Sequence, residues 1–315
     1  MNRIIKLKPV CKDYLWGGRK LIDEYGKDFD GDILAESWEL SCHTDGPSII
    51  ANGKDKGLSL AEYITREGEG ILGANCEKFS DFPILIKLID AKQALSIQVH
   101  PDDEYALKYE EQNGKTEVWY VVSCEEDAYL YYGVKEEITK EELASSIADD
   151  TVTDILNKVP VKAGDVFFIE AGTIHAIGAG MVIAEVQQNS NVTYRVYDFA
   201  RVGVDGKTRE LHVEKAVEVS TLVPAKEQQL EGNHIARCKY FTVDKLEVEG
   251  ELAGQMPADT FLSILVLDGQ GTISVGEESE QFQKGDSLFL PAGDYEYCIK
   301  GDGEFLLSYL ENIRG

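Results

Sequence analysis

Residues 164–175, GDVFFIEAGTIH, recur at residues 285–296 as GDSLFLPAGDYE. Each copy runs Gly-Asp, a short apolar run of strand length, then Ala-Gly at a turn. Upstream, EVWYVV from Glu117 lines up with LSILVL from Leu262, so Glu117 corresponds to Leu262 and His175 to Glu296. A chain that repeats one β-unit must bury the same strand faces twice, which predicts a mainly β fold with two similar units. The first copy is the longer. Its excess falls at residues 134–159, where the pattern turns helical and Thr139 and Glu142 stand in capping-box spacing. Ser59 and Glu62 repeat that spacing before a short helix, residues 101–112 suggest an acidic helix, and residues 208–223 suggest another. The expected division is a first unit at 1–225, a polar linker at 226–235 and a second unit at 236–315.

The first copy alone keeps side chains suited to chemistry. In LSIQVHPDD, residues 95–103, Ser96, Gln98 and His100 fall two apart on a strand and share a face. Burying a hydroxyl, an amide and an imidazole together is costly unless a metal or polar ligand satisfies them. Glu117 opens an apolar strand and His175 closes the repeat. Gln98, His100, Glu117 and His175 form a mixed nitrogen and oxygen set that suits zinc and leaves room for a water or substrate oxygen. The same donors can hold manganese, cobalt or iron.

Other residues gather around this set. A turn at residues 113–116 delivers Lys115 onto the face of Glu117; farther on, Glu185 and Gln187 share one strand face and Thr193, Arg195 and Tyr197 another. Lys87, inside FPILIKLIDA, reads equally well as a solvent-facing residue or as a cation aimed into a pocket. Trp16 and Trp38 suit either a sugar-stacking role or the core. His43, His212 and His234 lack such support and are read as structural or surface residues.

Charge narrows the partners. With 31 Lys and Arg against 57 Asp and Glu, the net charge is −26, which disfavours nucleic acid and anionic membranes and requires a local cationic pocket for any anionic substrate. No apolar run approaches the ~20 residues of a spanning helix, and the N-terminus has no signal-peptide core, so a cytoplasmic location is expected. The six cysteines are scattered without a Cys-x-x-Cys pair and are expected to be free, largely buried thiols.

The spacing Gly-x5-Pro-x-Gly-x2-His resembles the cupin superfamily, a double-sheet jelly roll. The second copy has Gly285, Pro291 and Gly293 without the histidine; the first has Gly164, Gly172 and His175, with Glu170 where proline is usual. LSIQVHPD, Lys115 and Glu117 as a Lys-x-Glu pair, AGTIHAI at 171–177, and Glu185 and Arg195 at ten-residue steps after His175 are together more specific. They resemble the zinc-dependent type I mannose-6-phosphate isomerases in their short bacterial form. Thr116 stands where longer members have proline.

That resemblance implies two cupin-type jelly rolls with short helical insertions, the second degenerate and metal-free. It implies one Zn2+ per chain in the first, on Gln98, His100, Glu117 and His175, with Gln98 the weaker ligand. It places the active-site arginine on Arg195 and pocket residues on Lys87, Ser96, Lys115 and Glu185; Trp16 joins them as the candidate sugar-stacking group. The implied substrate is a hexose 6-phosphate, with mannose 6-phosphate and fructose 6-phosphate interconverted through an enediol whose developing charge a metal would stabilise. Arg195 would neutralise the enediolate or the phosphate, and Lys115 or Glu185 would move the proton. Two alternatives are a paralogue acting on another aldose, free or otherwise phosphorylated, and a cupin that binds a sugar without turning it over.

Overall fold

The computed structural model describes residues 3–202 and 206–312. The chain divides into two compact units, one of Leu15–Gly18 and Asp90–Gln228, the other of Met1–Tyr14, Arg19–Ile89 and Gln229–Gly315.

The first of these units contains a five-stranded antiparallel sheet in the order Tyr194–Tyr197, Ile97–Val99, His175–Ile177, Tyr129–Val134, Leu156–Pro160. A second ladder runs Val166–Ile169, Glu117–Cys124, Met181–Gln188. Strand alternation sorts the five-stranded sheet into two unlike faces. Ile97, Val99, Ala176 and Val196 pack with Leu143, Ile147, Val152 and Ala216, which lie on the helices Lys140–Ala148, Val152–Ile155 and Val213–Val219. Each buried valine, leucine or isoleucine among them contributes about 1.5–3 kcal/mol. The opposite face carries a cross-strand row, Arg195 beside Gln98, Gln98 beside His175, His175 beside Tyr132. On the second ladder Glu117 pairs with Gln187, and Trp119 with Glu185.

The other unit contains a nine-stranded sheet built around two long paired strands, Leu262–Val275 and Tyr295–Tyr309. Ser287–Leu290 joins Leu262–Val275, and Ile5–Lys8 then adds to it with Ile5 opposite Phe289. The expected boundaries therefore shift: the N-terminal strand extends the sheet of the C-terminal segment, so residues 3–14 and 19–89 do not cluster with the unit that holds the metal candidates. Local pattern identifies a strand but not its partner hundreds of residues away.

The two copies of the repeat share their strand register and their leading turn, while the Ala-Gly turn differs: Gly172 has φ of 92° and Gly293 lies outside the positive-φ region. Ile169 pairs with Glu117 and Val166 with Tyr120; Leu290 pairs with Leu262 and Ser287 with Leu265. The leading turns match bond for bond. Gly164 N–H donates to Val121 O and Val121 N–H to Asp165 O; Gly285 N–H donates to Val266 O and Val266 N–H to Asp286 O. Gly164 and Gly285 have φ of 90° and 87°, a region L side chains avoid, which explains the glycine in each copy. The side chains differ as well: Leu262 lies in an apolar cluster with Ile264, Leu290 and Phe305, and Glu296 is exposed.

Expected helices are present but shorter. Both capping boxes form, at Ser59 with Glu62 and at Thr139 with Glu142. The acidic helix is Asp103–Tyr109, capped by Asp102. The helix expected at 208–223 spans only Val213–Val219, and the end of the 134–159 insertion is strand, Leu156–Pro160. All six cysteines are free; Cys76 is buried and the other five are partly buried.

Candidate metal centre and active site

His100, Glu117 and His175 are buried, and one ligand atom from each lies within 4.8 Å of the others. His175 Nε2 is 3.3 Å from Glu117 Oε1, and His100 Nε2 is 3.7 Å from Glu117 Oε2. The imidazoles are locked from behind. His100 Nδ1 is 2.8 Å from Val192 O, and His175 Nδ1 is 2.8 Å from Thr173 O. A carbonyl only accepts, so each Nδ1 bears the proton and each Nε2 turns a lone pair toward Glu117. Two imidazole lone pairs and a carboxylate in one dry pocket fit a divalent cation.

Gln98 joins the cluster, its amide nitrogen 3.4 Å from His175 Nε2. Lys115 Nζ forms an ion pair with Glu117 Oε2 at 2.6 Å and stands 3.1 Å from His100 Nε2. Its approach is fixed by Lys115 N–H to Pro101 O and by Thr116 N–H to the Gln188 side chain. Glu185 is buried, and its Oε2 accepts from Trp119 Nε1 at 2.8 Å. Trp119 in turn sets the edge-to-face wall of His175, with ring centroids 5.1 Å apart.

Burial pushes the His175 imidazole down to about 3, Lys115 adding to the effect and the Thr173 carbonyl and Glu185 opposing it. The ring is therefore neutral in the fold, as a ligand must be. In metal-stripped protein the consequence is directional. Below an unfolded-state value near 6.5 the unfolded chain takes up a proton that the folded one refuses, so stability is lost as pH falls from there toward 3. Denaturant titrations of the stripped protein at pH 7.5 and 5 should show the lower midpoint at pH 5, with a smaller difference in His175→Gln; equal pH dependence in both proteins would refute the assignment.

Arg195 is half-buried at the end of the cross-strand row. Its Nη1 donates to Glu210 O at 2.8 Å, and its Nε is buried with no hydrogen-bond partner among the described residues. Ser96 and Trp16 are both buried in this unit. Lys87 belongs to the other unit, where it is buried with its ammonium 5.3 Å from the Trp38 ring and 3.9 Å from Glu36 Oε2. It does not face solvent. Sequence reasoning missed Trp119, which alternation places on the face of Glu117, and His212, whose Nδ1 accepts the Arg195 backbone N–H at 3.0 Å.

A double-sheet β-unit with histidine and carboxylate donors converging between its sheets defines a metal-binding protein of the cupin class. Residues 4–149 match the model of the phosphomannose isomerase type I catalytic domain, and residues 231–310 that of the mannose-6-phosphate isomerase cupin domain. The mannose-6-phosphate isomerase of Streptococcus mutans serotype c is 42% identical over 303 residues, 94% of each chain. ManA of Bacillus subtilis is 40% identical over 315 residues, 96% of this chain and 98% of its own. The crystal structure of the Bacillus subtilis mannose 6-phosphate isomerase superposes with a TM-score of 0.89 at 35% identity, covering 98% of this chain and 99% of that one. The chain belongs to the type I mannose-6-phosphate isomerase family.

Proposed function

We propose that the protein interconverts mannose 6-phosphate and fructose 6-phosphate, using one zinc ion held by His100, Glu117 and His175 with Gln98 as a weaker fourth ligand. The observation that carries this reading is the buried cluster in which backbone carbonyls aim both Nε2 atoms at Glu117. A bound divalent ion would supply Lewis-acid stabilisation of negative charge on substrate oxygens.

The chain's own residues do the rest. Isomerisation removes the proton on C2 of the aldose, returns a proton to C1, and shifts a hydroxyl proton from O2 to O1. Glu185, oriented by Trp119, serves as acceptor of the carbon-bound proton, and Lys115, with its N–H groups already among the ligand atoms, serves the oxygens. Arg195 holds negative charge with a guanidinium edge, and the low dielectric of the site strengthens that interaction. Ser96 and Trp16 are assigned to the sugar hydroxyls and the sugar face.

A coupled assay tests the reading. Zinc-loaded protein is expected to turn over mannose 6-phosphate, to lose that activity on chelation and to regain it with zinc. Turnover of free mannose in preference to the phosphate would move the substrate assignment to an unphosphorylated aldose, and activity indifferent to chelation would refute the metal role.

A further inference from the structure

We infer that Asp198 is a positioning residue for Arg195, acting through the backbone of residues 209–212; the inference rests on the role given to Arg195 above. Strand Tyr194–Tyr197 ends just before Asp198, and the chain returns at Arg209 to lie beside it. Asp198 closes that excursion with a fork: Arg209 Nε donates to Oδ2 at 2.7 Å and Nη2 to Oδ1 at 2.5 Å. Paired donors fix angle as well as distance, which a single ion pair does not. Arg201 adds a bond from Nη2 to Oδ1 at 2.6 Å and anchors its own Nη1 on Ala94 O. The carboxylate is nearly buried, at 5% side-chain exposure, so these bonds are little screened by solvent.

A second pin lies three residues on. Arg195 N–H donates to His212 Nδ1 at 3.0 Å, and His212 N–H donates to Arg195 O at 2.8 Å. Between the pins at 209 and 212 sits Glu210, whose carbonyl accepts Arg195 Nη1. That bond occupies one edge of the guanidinium and sets the direction of the other, where Nε has no partner among the described residues. Releasing the pin at 209 leaves the Glu210 carbonyl free to move, and Arg195 loses its fixed orientation while remaining present and charged. A misplacement of about 1 Å in such a group costs on the order of 10²-fold in rate.

The test is a double-mutant cycle. Asp198→Asn removes the charge at the fork; Arg209→Gln removes the fork from its exposed side, where little packing is at stake. Each is expected to lower kcat/KM for mannose 6-phosphate about 10-fold in the parent, mainly through kcat. In an Arg195→Ala background each should change kcat/KM less than about twofold, because the group they position is gone. Equal losses in both backgrounds would overturn the inference and indicate direct anion binding by Arg209 or Arg201, or a structural defect. If Arg195→Ala itself costs nothing, the reading of Arg195 fails instead, and the two failures are told apart.

Discussion

Glu117→Gln is expected to lose metal and activity together, with retention falling well below one equivalent after dialysis against chelator and turnover dropping at least ~10³-fold. The size follows from position. Residues that merely orient metal ligands cost 10–100-fold when changed, and Glu117 offers the one carboxylate among the three clustered donors. Substitution by the amide keeps the volume but removes the charge that faces both Nε2 atoms and the Lys115 ammonium. Lys115 is itself buried, so a further cost of up to about 3–5 kcal/mol in stability is expected from the uncompensated cation. Metal content by mass spectrometry, a coupled assay and denaturant titration read the three effects separately. A Glu117→Gln variant that kept a full equivalent of zinc and parental turnover would remove Glu117 from the centre.

Arg195→Ala should lower kcat by about 10²–10³-fold, the usual effect of deleting a preorganised donor to developing charge. Stability should change little, since Arg195 is half-buried and lies on the terminal strand of the five-stranded sheet. Arg195→Lys retains the charge without the planar fork and is expected to recover only part of the rate. Kinetics resolved into kcat and KM decide its role. A raised KM at unchanged kcat would make the arginine a contact of equal strength in ground and transition states, which is not the role assigned.

Much of the candidate centre was legible because strand alternation is a rigid rule. Residues two apart had to share a face, and Gln98 with His100, and Lys115 with Glu117, meet in the cluster accordingly. The repeat aligned Glu117 with Leu262, and the paired strands have that register in both copies. What could not be read depends on partners remote in sequence. The acceptors behind the histidines are backbone carbonyls of Val192 and Thr173, and a carbonyl leaves no mark on residue identity. The helix after the Arg195 strand starts late because residues 209–212 are engaged with Asp198 and Arg195 instead. Lys87 was ambiguous between surface and pocket because an apolar run buried on both faces has no alternation to read. Its neighbours Trp38 and Glu36 come from another strand.

The matched turns of the two repeats bear on how this architecture tolerates change. In one copy the paired strands present Glu117 toward two imidazoles; in the other the same register presents Leu262 to a greasy interior, with no alteration of the glycine-led turn. Scaffold and chemistry are thus written in separate positions of the repeated unit. A carboxylate can be exchanged for an aliphatic side chain within one strand register, and a repeated module can present a different set of side chains on the same hydrogen-bonded leading turn.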